Sequence, residues 1–433
     1  MKSYVGLGVL GLGNVASAVI RALAGRAEYL ERQIGRPFQV RQVLVRDLDK
    51  VRDVSLDGTE LTTDFGAVLA DDEIQVIVEL MGGVEPANTY LRRALIAGKH
   101  VVTANKELMA AYGPELLDLA SEHDRDLYFE ASVGGGIPLI GPFRQDLAAN
   151  QISEVHAILN GTTNFILTAM ASGHREYESA LEDAKMLGYA ESDPSNDLQG
   201  HDSASKLAIL ASLAFKSTVR SDDVFREGIS GIQAADFQYA EELGYGIKLL
   251  AIAKRRLDGL EVRVHPALIE RDGSLNQVDG VFNAVRLDGD LLGRALFVGR
   301  GAGPEPTSSA IVADLIDLAH NLRRGVHNRI PHGVVDDLAI CPMASIRSRY
   351  YFRLWVMDTP GVLARIGAVC DEYGISVASV IQKETDEGAG QAELVFLTHE
   401  ACEVDFQEAI ASMSHLDVVS DVASTFRVES LVE

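Results

Sequence analysis

Asp202 and Lys206 are the first residues of this chain whose types and spacing could carry acid–base chemistry. They are four residues apart, so on a helix they share one face. A lysine, with an ordinary pKa near ~10.4, can supply both a positive charge and a proton. Asp202 could hold that lysine in place or bind a substrate itself. Spacing alone favours a surface ion pair that contributes only ~0.3–0.5 kcal/mol. Other residues are needed to distinguish such a pair from a functional one.

A second chemical signal lies near the start of the chain, where Gly-Leu-Gly-Asn-Val-Ala at 11–16 follows an apolar strand and opens a helix. The first glycine permits a tight turn, the second lets the backbone approach a pyrophosphate, and Ala16 is small enough for helix–strand packing. The free N–H groups of the helix start favour phosphates. A merely structural turn has the same pattern. The residues predicted to contact a dinucleotide are Gly11, Gly13, Asn14 and Val15.

The next strand ends at Val45-Arg46-Asp47, which bears on the choice of cofactor. An acidic residue at this place would bind a ribose 2′-hydroxyl, whereas an arginine accommodates a 2′-phosphate. Because Arg46 comes first and other basic residues follow, we expect NADP, and NAD or the use of both is left open. A solvated charged turn fits either cofactor.

The overall charge excludes two classes of partner. With 39 basic and 63 acidic side chains, the formal net charge is −24. Such a field repels nucleic acid and anionic membranes, and we see no local basic patch. No run of ~18 apolar residues predicts a membrane span, and the three cysteines lack the spacing of a zinc site. We therefore expect a cytoplasmic protein that binds neither nucleic acid nor membrane.

The elements that must position these residues begin with alternating strands and helices in the first third of the chain. This alternation predicts a doubly wound parallel sheet of the Rossmann type. Pro114 is placed at the beginning of one of its helices. The predicted strands are 4–10, 40–45, 74–79, 99–103 and 127–130.

The rest of the chain predicts two further folds. A mixed α+β domain is expected at 138–303, with a turn-like segment at Asn160–Asn164, and a self-contained ferredoxin-like βαββαβ unit follows from Tyr350. The predicted domains are a nucleotide-binding domain at 1–137, to which 304–335 returns, the α+β domain at 138–303, a linker at 336–349 and the ferredoxin-like domain at 350–433.

Five motifs give the chain a distinctive resemblance. They are VTANK at 102–106, EASVGGGIP at 130–138, NGTTN at 160–164, GYAESDP at 188–194 and GHDSASK at 200–206. With a Gly-Ala-Gly turn at 301–303, this succession resembles homoserine dehydrogenase over essentially the whole chain, and the last block resembles an ACT domain. The resemblance implies NAD(P)H-dependent, reversible reduction of L-aspartate 4-semialdehyde to L-homoserine, on the route to threonine and methionine.

The resemblance also implies that the domain at 138–303 binds the substrate and forms the dimer, and that the domain at 350–433 is regulatory. Lys206 is the expected proton donor, and Lys106 is expected to assist it and to contact the cofactor. Asp202 is expected to hold Lys206 in place or to bind the substrate. The substrate's ammonium group is expected at carboxylates. Gln199 and Ser205 depart from the commonest family pattern without removing a catalytic group. The substrate residues are Glu191, Asp197 and Asp202, and the further cofactor residues are Thr103 and Gly303.

A cation site and a regulatory site are implied in the same way. The glycine-rich segment could bind a monovalent cation such as Na⁺, or could serve only as a hinge between domains. The ACT domain is expected to bind L-threonine as a feedback inhibitor, or to serve only for dimerisation. The cation residues are Glu130, Val133, Gly135 and Ile137, and the effector residues are Asp358, Gly361, Val362 and Gln382.

Two competing functions stay open from the sequence. One is a related dehydrogenase of another amino-acid semialdehyde or oxo acid, and the other is a non-catalytic amino-acid sensor that retains the nucleotide fold. Edge strands of ferredoxin-like units often pair, so we expect a homodimer or a homotetramer.

Overall fold

A computed structural model of the chain describes residues 2–329, 337–386 and 390–431. The parts of the predicted domains that comprise residues 330–336, 387–389 and 432–433 lie outside the described residues. The chain forms two compact units. The first comprises Met1–Ser153, Ser205–Asp223 and Asn283–Leu338, and the second comprises Glu154–Ala204, Val224–Phe282 and Ala339–Glu433. The predicted domain boundaries lie at other residues than the limits of these two units, and they stay a prediction.

The strands and helices are numbered along the chain. The strands are β1 Val5–Leu10, β2 Phe38–Leu44, β3 Glu60–Thr62, β4 Ile74–Glu79, β5 His100–Thr103, β6 Leu127–Tyr128, β7 Ile152–Ile158, β8 Phe225–Arg226, β9 Tyr245–Arg255, β10 Leu260–Glu270, β11 Phe282–Gly289, β12 Gly293–Arg300, β13 Arg347–Met357, β14 Val377–Asp386, β15 Gln391–Thr398, β16 Ala401–Cys402 and β17 Val419–Glu429. The helices are α1 Asn14–Gly25, α2 Ala27–Ile34, α3 Phe65–Ala70, α4 Ala87–Ile96, α5 Lys106–Glu122, α6 Ile140–Arg144, α7 Gly161–Gly173, α8 Tyr177–Met186, α9 Ser195–Leu198, α10 His201–Phe215, α11 Ala234–Glu242, α12 Pro304–Arg324, α13 Val362–Glu372 and α14 Glu403–Met413.

The first unit is built on a parallel sheet with the strand order β3-β2-β1-β4-β5-β6. Every residue of β1 is buried, as expected for a central strand whose two faces are covered by helices. The core joins β1 to apolar faces of α1 and α12, including Val19 and Ile311. This order is that of a doubly wound nucleotide-binding fold, and the predicted fold class is confirmed. The short β3 was not predicted.

The helix α5 begins earlier than the sequence suggested. The Asn105 side chain accepts a hydrogen bond from the Leu108 N–H over 3.0 Å and caps the helix, which therefore starts at Lys106. Pro114 lies inside α5, so the prediction that it begins a helix is wrong. A polar cap directly after a buried strand sets the start, and the proline removes one helical hydrogen bond farther along.

In the second unit, β9 and β10 form a long antiparallel pair, from Tyr245 opposite Glu270 to Arg255 opposite Leu260. The βαββαβ block follows as predicted, with strand order β17-β13-β15-β14. It is not self-contained, because β17 also pairs in parallel with β10, with Ala267 opposite Arg427. The ACT strands and β9–β10 therefore share one sheet. None of the described helices has the length and apolar character needed to cross a membrane.

Candidate active site

The glycine turn after β1 has the geometry of a phosphate-binding turn. Gly11 has φ +91°, and a Cβ there would lie 2.9 Å from the Leu80 carbonyl oxygen, so only glycine fits. At Gly13 a Cβ would meet nothing within 4 Å, so the backbone is open to a ligand. No side chain caps α1 and no acidic residue lies in its first turn. The N–H groups at Asn14 and Val15 therefore fit a dinucleotide pyrophosphate.

Arg46 is exposed two residues beyond β2, beside the turn-bearing strand β1. Asp47, which follows it, is engaged locally, because its carboxylate accepts the Asp49 N–H over 2.9 Å and its carbonyl accepts from Arg52. Both side chains are exposed. An exposed arginine accommodates a 2′-phosphate, whereas an exposed aspartate can bind a 2′-hydroxyl.

A buried carboxylate that the sequence analysis missed organises the ends of β4 and β5. Glu79 is fully buried and accepts from the Thr103 hydroxyl over 2.6 Å and from the Met81 N–H over 2.7 Å. Burial raises the pKa of Glu79. Thr103 in turn accepts the Asn105 N–H over 3.0 Å, which fixes the helix cap just before Lys106. The sequence signal was an acid that ends an otherwise apolar strand.

Gly303, another predicted cofactor residue, lies at the start of a second uncapped helix of the first unit. Its φ is +121°, and α12 begins at the next residue with Pro304 and no side-chain cap. Lys106 is half-buried at the first position of α5. The predicted cofactor residues therefore all lie at strand ends or helix starts of the nucleotide-binding fold.

Asn160 brings two of the predicted substrate carboxylates together. Its side-chain amide donates to Asp197 over 2.7 Å and to Asp202 over 2.8 Å, and its oxygen accepts the Thr163 N–H over 2.9 Å. Asn160 is thus the N-cap of α7, and the turn-like assignment of this segment is wrong. A short polar residue before a helix was the available signal. The bridge to residues 37 and 42 positions away had none.

Asp202 and Lys206 lie one turn apart on α10, as the spacing predicted. They are only 2% and 7% exposed, which excludes the alternative of a solvated surface pair. Aspartate and lysine are seldom this buried, so their burial makes both residues candidates for a functional role. Glu191 lies in the loop between α8 and α9 with its side chain exposed.

The predicted cation residues surround a glycine-rich turn, and the Glu130 carboxylate also accepts hydrogen bonds from the backbone. It accepts the N–H groups of Leu139, Ile140 and Gly141 over 2.6, 2.9 and 2.7 Å, and so holds the start of α6. A Cβ on Gly135 would lie 2.5 Å from the Gly301 carbonyl oxygen, so this glycine permits a close backbone approach. The carbonyl groups of this turn, including those of Val133 and Ile137, could serve as further ligands beside Glu130.

The four predicted effector residues line one cavity of about 470 Å³ in the ACT domain. Asp358 and Gly361 lie in the turn after β13, and Val362 begins α13 without a side-chain cap at its N-terminus. Gly361 has φ +95°. Gln382 reaches the same cavity from β14. Uncapped N–H groups beside an amide side chain can bind the carboxylate and polar groups of an amino acid.

Comparisons with known proteins agree with this geometry. Residues 138–316 match the family model for homoserine dehydrogenase, residues 11–130 match its NAD-binding domain, and residues 350–413 match the ACT domain. The chain is 41% identical over 442 residues to the homoserine dehydrogenase of Synechocystis sp., covering 98% of this chain and 100% of that protein. It is 40% identical over 423 residues to the Bacillus subtilis protein, covering 98% of each.

Solved structures give the same result. A homoserine dehydrogenase from Thiobacillus denitrificans superposes with a TM-score of 0.93 at 42% identity, covering 99% of each chain. A hyperthermophilic archaeal homoserine dehydrogenase in complex with NADPH superposes with a TM-score of 0.61 at 27% identity, over 73% of this chain and 97% of that one. The chain belongs to the homoserine dehydrogenase family, as an NAD(P)-dependent oxidoreductase with a C-terminal ACT domain.

Proposed function

We propose that Lys206 is the proton donor in the reduction of L-aspartate 4-semialdehyde to L-homoserine, and that the Asn160 cluster binds the substrate's ammonium group. The observation that carries this proposal is a buried lysine one turn after Asp202, whose carboxylate is held beside Asp197 by one amide. Two adjacent carboxylates attract an ammonium ion by charge-assisted hydrogen bonds. Glu191, which is exposed in the neighbouring loop, is proposed as a third substrate carboxylate.

The chain's residues would serve the reaction in the following way. When bound, the reduced nicotinamide would supply a hydride for the aldehyde carbon, so that negative charge would develop on the aldehyde oxygen. The Lys206 ammonium stabilises that charge and transfers a proton to the oxygen, which completes the alcohol. In the reverse direction neutral Lys206 accepts the hydroxyl proton. Lys106, at the start of α5, is proposed to assist at the cofactor side.

NADP is the proposed cofactor. The uncapped start of α1 fits the pyrophosphate and the exposed Arg46 fits a 2′-phosphate, while Thr103 and Gly303 complete the proposed contacts. The archaeal relative in complex with NADPH supports this choice. A monovalent cation such as Na⁺ is proposed at the carbonyl groups around Gly135.

L-Threonine is the proposed feedback inhibitor, bound in the cavity at Asp358, Gly361, Val362 and Gln382. The cavity favours this proposal over an ACT domain used only for dimerisation, because the space lies beside uncapped N–H groups. A homodimer or homotetramer and a cytoplasmic location stay predictions from the sequence.

The test is NADP⁺ reduction with L-homoserine at alkaline pH, with and without L-threonine. In Lys206→Met the ammonium group is lost while the aliphatic stem remains, and we expect kcat to fall by about 10²–10⁴-fold. Lys185→Met removes the same charge from an exposed position on α8 and serves as the control. Full activity in Lys206→Met would move the proton donor to another group. No turnover of L-homoserine by the wild type, with binding retained, would favour a different semialdehyde or a sensor.

A further inference from the structure

Arg427, on the last strand of the ACT domain, forms ion pairs with two glutamates, Glu403 and Glu227. It donates to Glu403 over 2.8 and 2.5 Å and to Glu227 over 2.7 and 3.2 Å. Its side chain is only 5% exposed. Glu403 begins α14 of the ACT domain, whereas Glu227 follows β8 outside that domain. One guanidinium therefore joins the ACT domain to a segment about 200 residues earlier in the chain.

The segment that Arg427 holds is 225–229, which we call the support segment. The Arg427 guanidinium also lies 5.3 Å from the centre of the Phe225 ring. The Glu227 N–H donates to the Val264 carbonyl of β10 over 2.8 Å. The support segment is thus fixed on one side by the sheet and on the other by Arg427.

The support segment in turn contacts the backbone that carries the substrate carboxylates. The Ile229 N–H donates to the Leu198 carbonyl over 3.0 Å. A Cβ on Gly228 would lie 2.4 Å from that same oxygen, so the two backbones are in direct contact. Gly200, which has φ +80°, approaches the Glu227 carbonyl: a Cβ there would lie 3.5 Å from its oxygen. Leu198 and Gly200 separate Asp197 from Asp202.

We propose that Arg427 is a positioning residue for the substrate carboxylates. It acts through Glu227 on the support segment. The support segment contacts the backbone at Leu198 and Gly200, and these contacts set the separation of Asp197 from Asp202. This inference rests on the proposed role of these carboxylates. It makes the ACT domain part of the catalytic scaffold, because the guanidinium that braces the substrate loop comes from β17.

The variant that isolates the link is Glu227→Gln. The Glu227 side chain is 42% exposed, so its neutralisation leaves no buried charge without a partner, and the Arg427–Glu403 pair remains. We expect KM for L-homoserine to rise about tenfold, as a small displacement of a binding group would cause, with a smaller change in kcat and none in KM for NADP⁺. If Arg427 had a merely structural role, Glu227→Gln would lower stability without raising KM for L-homoserine more than KM for NADP⁺.

The matched control is Glu393→Gln, which removes a carboxylate partner from another buried arginine of the ACT domain. Arg353 pairs with Glu393 and with Asp236 of α11, and no residue of the support segment takes part in these contacts. We expect the control to keep the wild-type KM for L-homoserine. A double-mutant cycle with Arg427→Lys should be non-additive in KM, because both changes weaken the same link.

Amide hydrogen exchange keeps this test independent of the proposed function. In the full-length protein without substrate, we expect the amides of 195–202 to exchange faster in Glu227→Gln than in the wild type and in Glu393→Gln. Unchanged exchange together with an unchanged KM would overturn the positioning role of Arg427. Faster exchange in a protein that does not oxidise L-homoserine would support the brace and reject the proposed function.

Discussion

Replacing Asn160 by aspartate tests the candidate substrate cluster most sharply, because it turns a donor of two hydrogen bonds into an acceptor of the same shape. The Asn160 amide donates to Asp197 over 2.7 Å and to Asp202 over 2.8 Å, and Asn160 is buried. Each hydrogen bond to an ionised partner contributes about 1.5–3 kcal/mol. With both bonds lost, we expect the free energy of unfolding at neutral pH to fall by about 3–6 kcal/mol.

We expect the same substitution to lower catalytic efficiency as well as stability. The Asn160→Asp variant places a third carboxylate beside the two that are proposed to bind the ammonium group, and the repulsion displaces Asp202. We expect kcat/KM for L-homoserine to fall by about a hundredfold, the scale of a misplacement near 1 Å. KM for NADP⁺ should not change, because the proposed cofactor contacts belong to the other compact unit.

The loss of stability has a characteristic pH dependence. Repulsion among three carboxylates raises the pKa of the introduced carboxyl group in the folded state above its value in the unfolded chain. The folded variant therefore binds a proton that the unfolded chain releases, and its stability is recovered as the pH falls. We expect the deficit relative to the wild type to shrink between about pH 8 and about pH 5.

The measurements are urea denaturation across this pH range and steady-state kinetics, with Asn160→Ser as the control. Serine can still accept the Thr163 N–H as an N-cap, but it is too short to reach both carboxylates and adds no charge. Its deficit should be smaller and independent of pH. A wild-type KM in Asn160→Asp, with a deficit that does not vary with pH, would refute the bridge between the two carboxylates.

Three further predictions concern other parts of the molecule. Burial and the neighbouring Glu130 raise the pKa of Asp314 well above its ordinary value, so the contribution of Asp314 to stability should fall as the pH rises above about 4. Urea midpoints should show a shallower pH dependence in Asp314→Asn than in the wild type, and an unchanged slope would contradict the shift. Burial opposes ionisation of Asp126, but its interactions with the His100 side chain and with the Asn328 N–H lower its pKa from 3.8 to about 2. Its contribution of about 2 kcal/mol should be lost as the pH falls from about 4 to about 2, and Asp126→Asn should lose it at neutral pH. Gly361→Val, at φ +95°, should weaken inhibition by L-threonine without changing kcat in its absence, and inhibition curves that coincide with those of the wild type would speak against the cavity.

Local patterns in the sequence predicted the nucleotide-binding fold well. The strand at 74–79 has the predicted bounds, and the glycine turn lies between β1 and α1 as expected. These features depend on a few neighbouring residues, namely on hydrophobic periodicity and on glycine geometry. The error at Pro114 has the same origin, because the cap at Asn105 was a stronger local signal than the proline.

Long-range contacts could not be predicted from the sequence. The amide of Asn160 donates to carboxylates 37 and 42 residues away. Strand β17 pairs with β10, which lies far earlier in the chain, with Ala267 opposite Arg427. Such pairings depend on the register of strands and the packing of helices, which no local pattern encodes. For Glu79 the sequence shows an acid at a strand end, but only the folded sheet shows that Thr103 lies opposite to receive it.

The strongly acidic composition is compatible with an anionic cofactor because charges act over different distances. At physiological ionic strength the Debye length is ~8 Å, so most of the carboxylates that make up the net charge of −24 are screened at the turn between β1 and α1. Close to that turn are the uncapped N–H groups of α1, with no acid in its first turn, and Arg46 follows the adjacent strand. A single dinucleotide ends within this small region. A nucleic acid places a charge every ~1.7 Å along its axis and must extend over the surrounding acidic surface. We therefore expect the same chain to bind the dinucleotide and to repel nucleic acid.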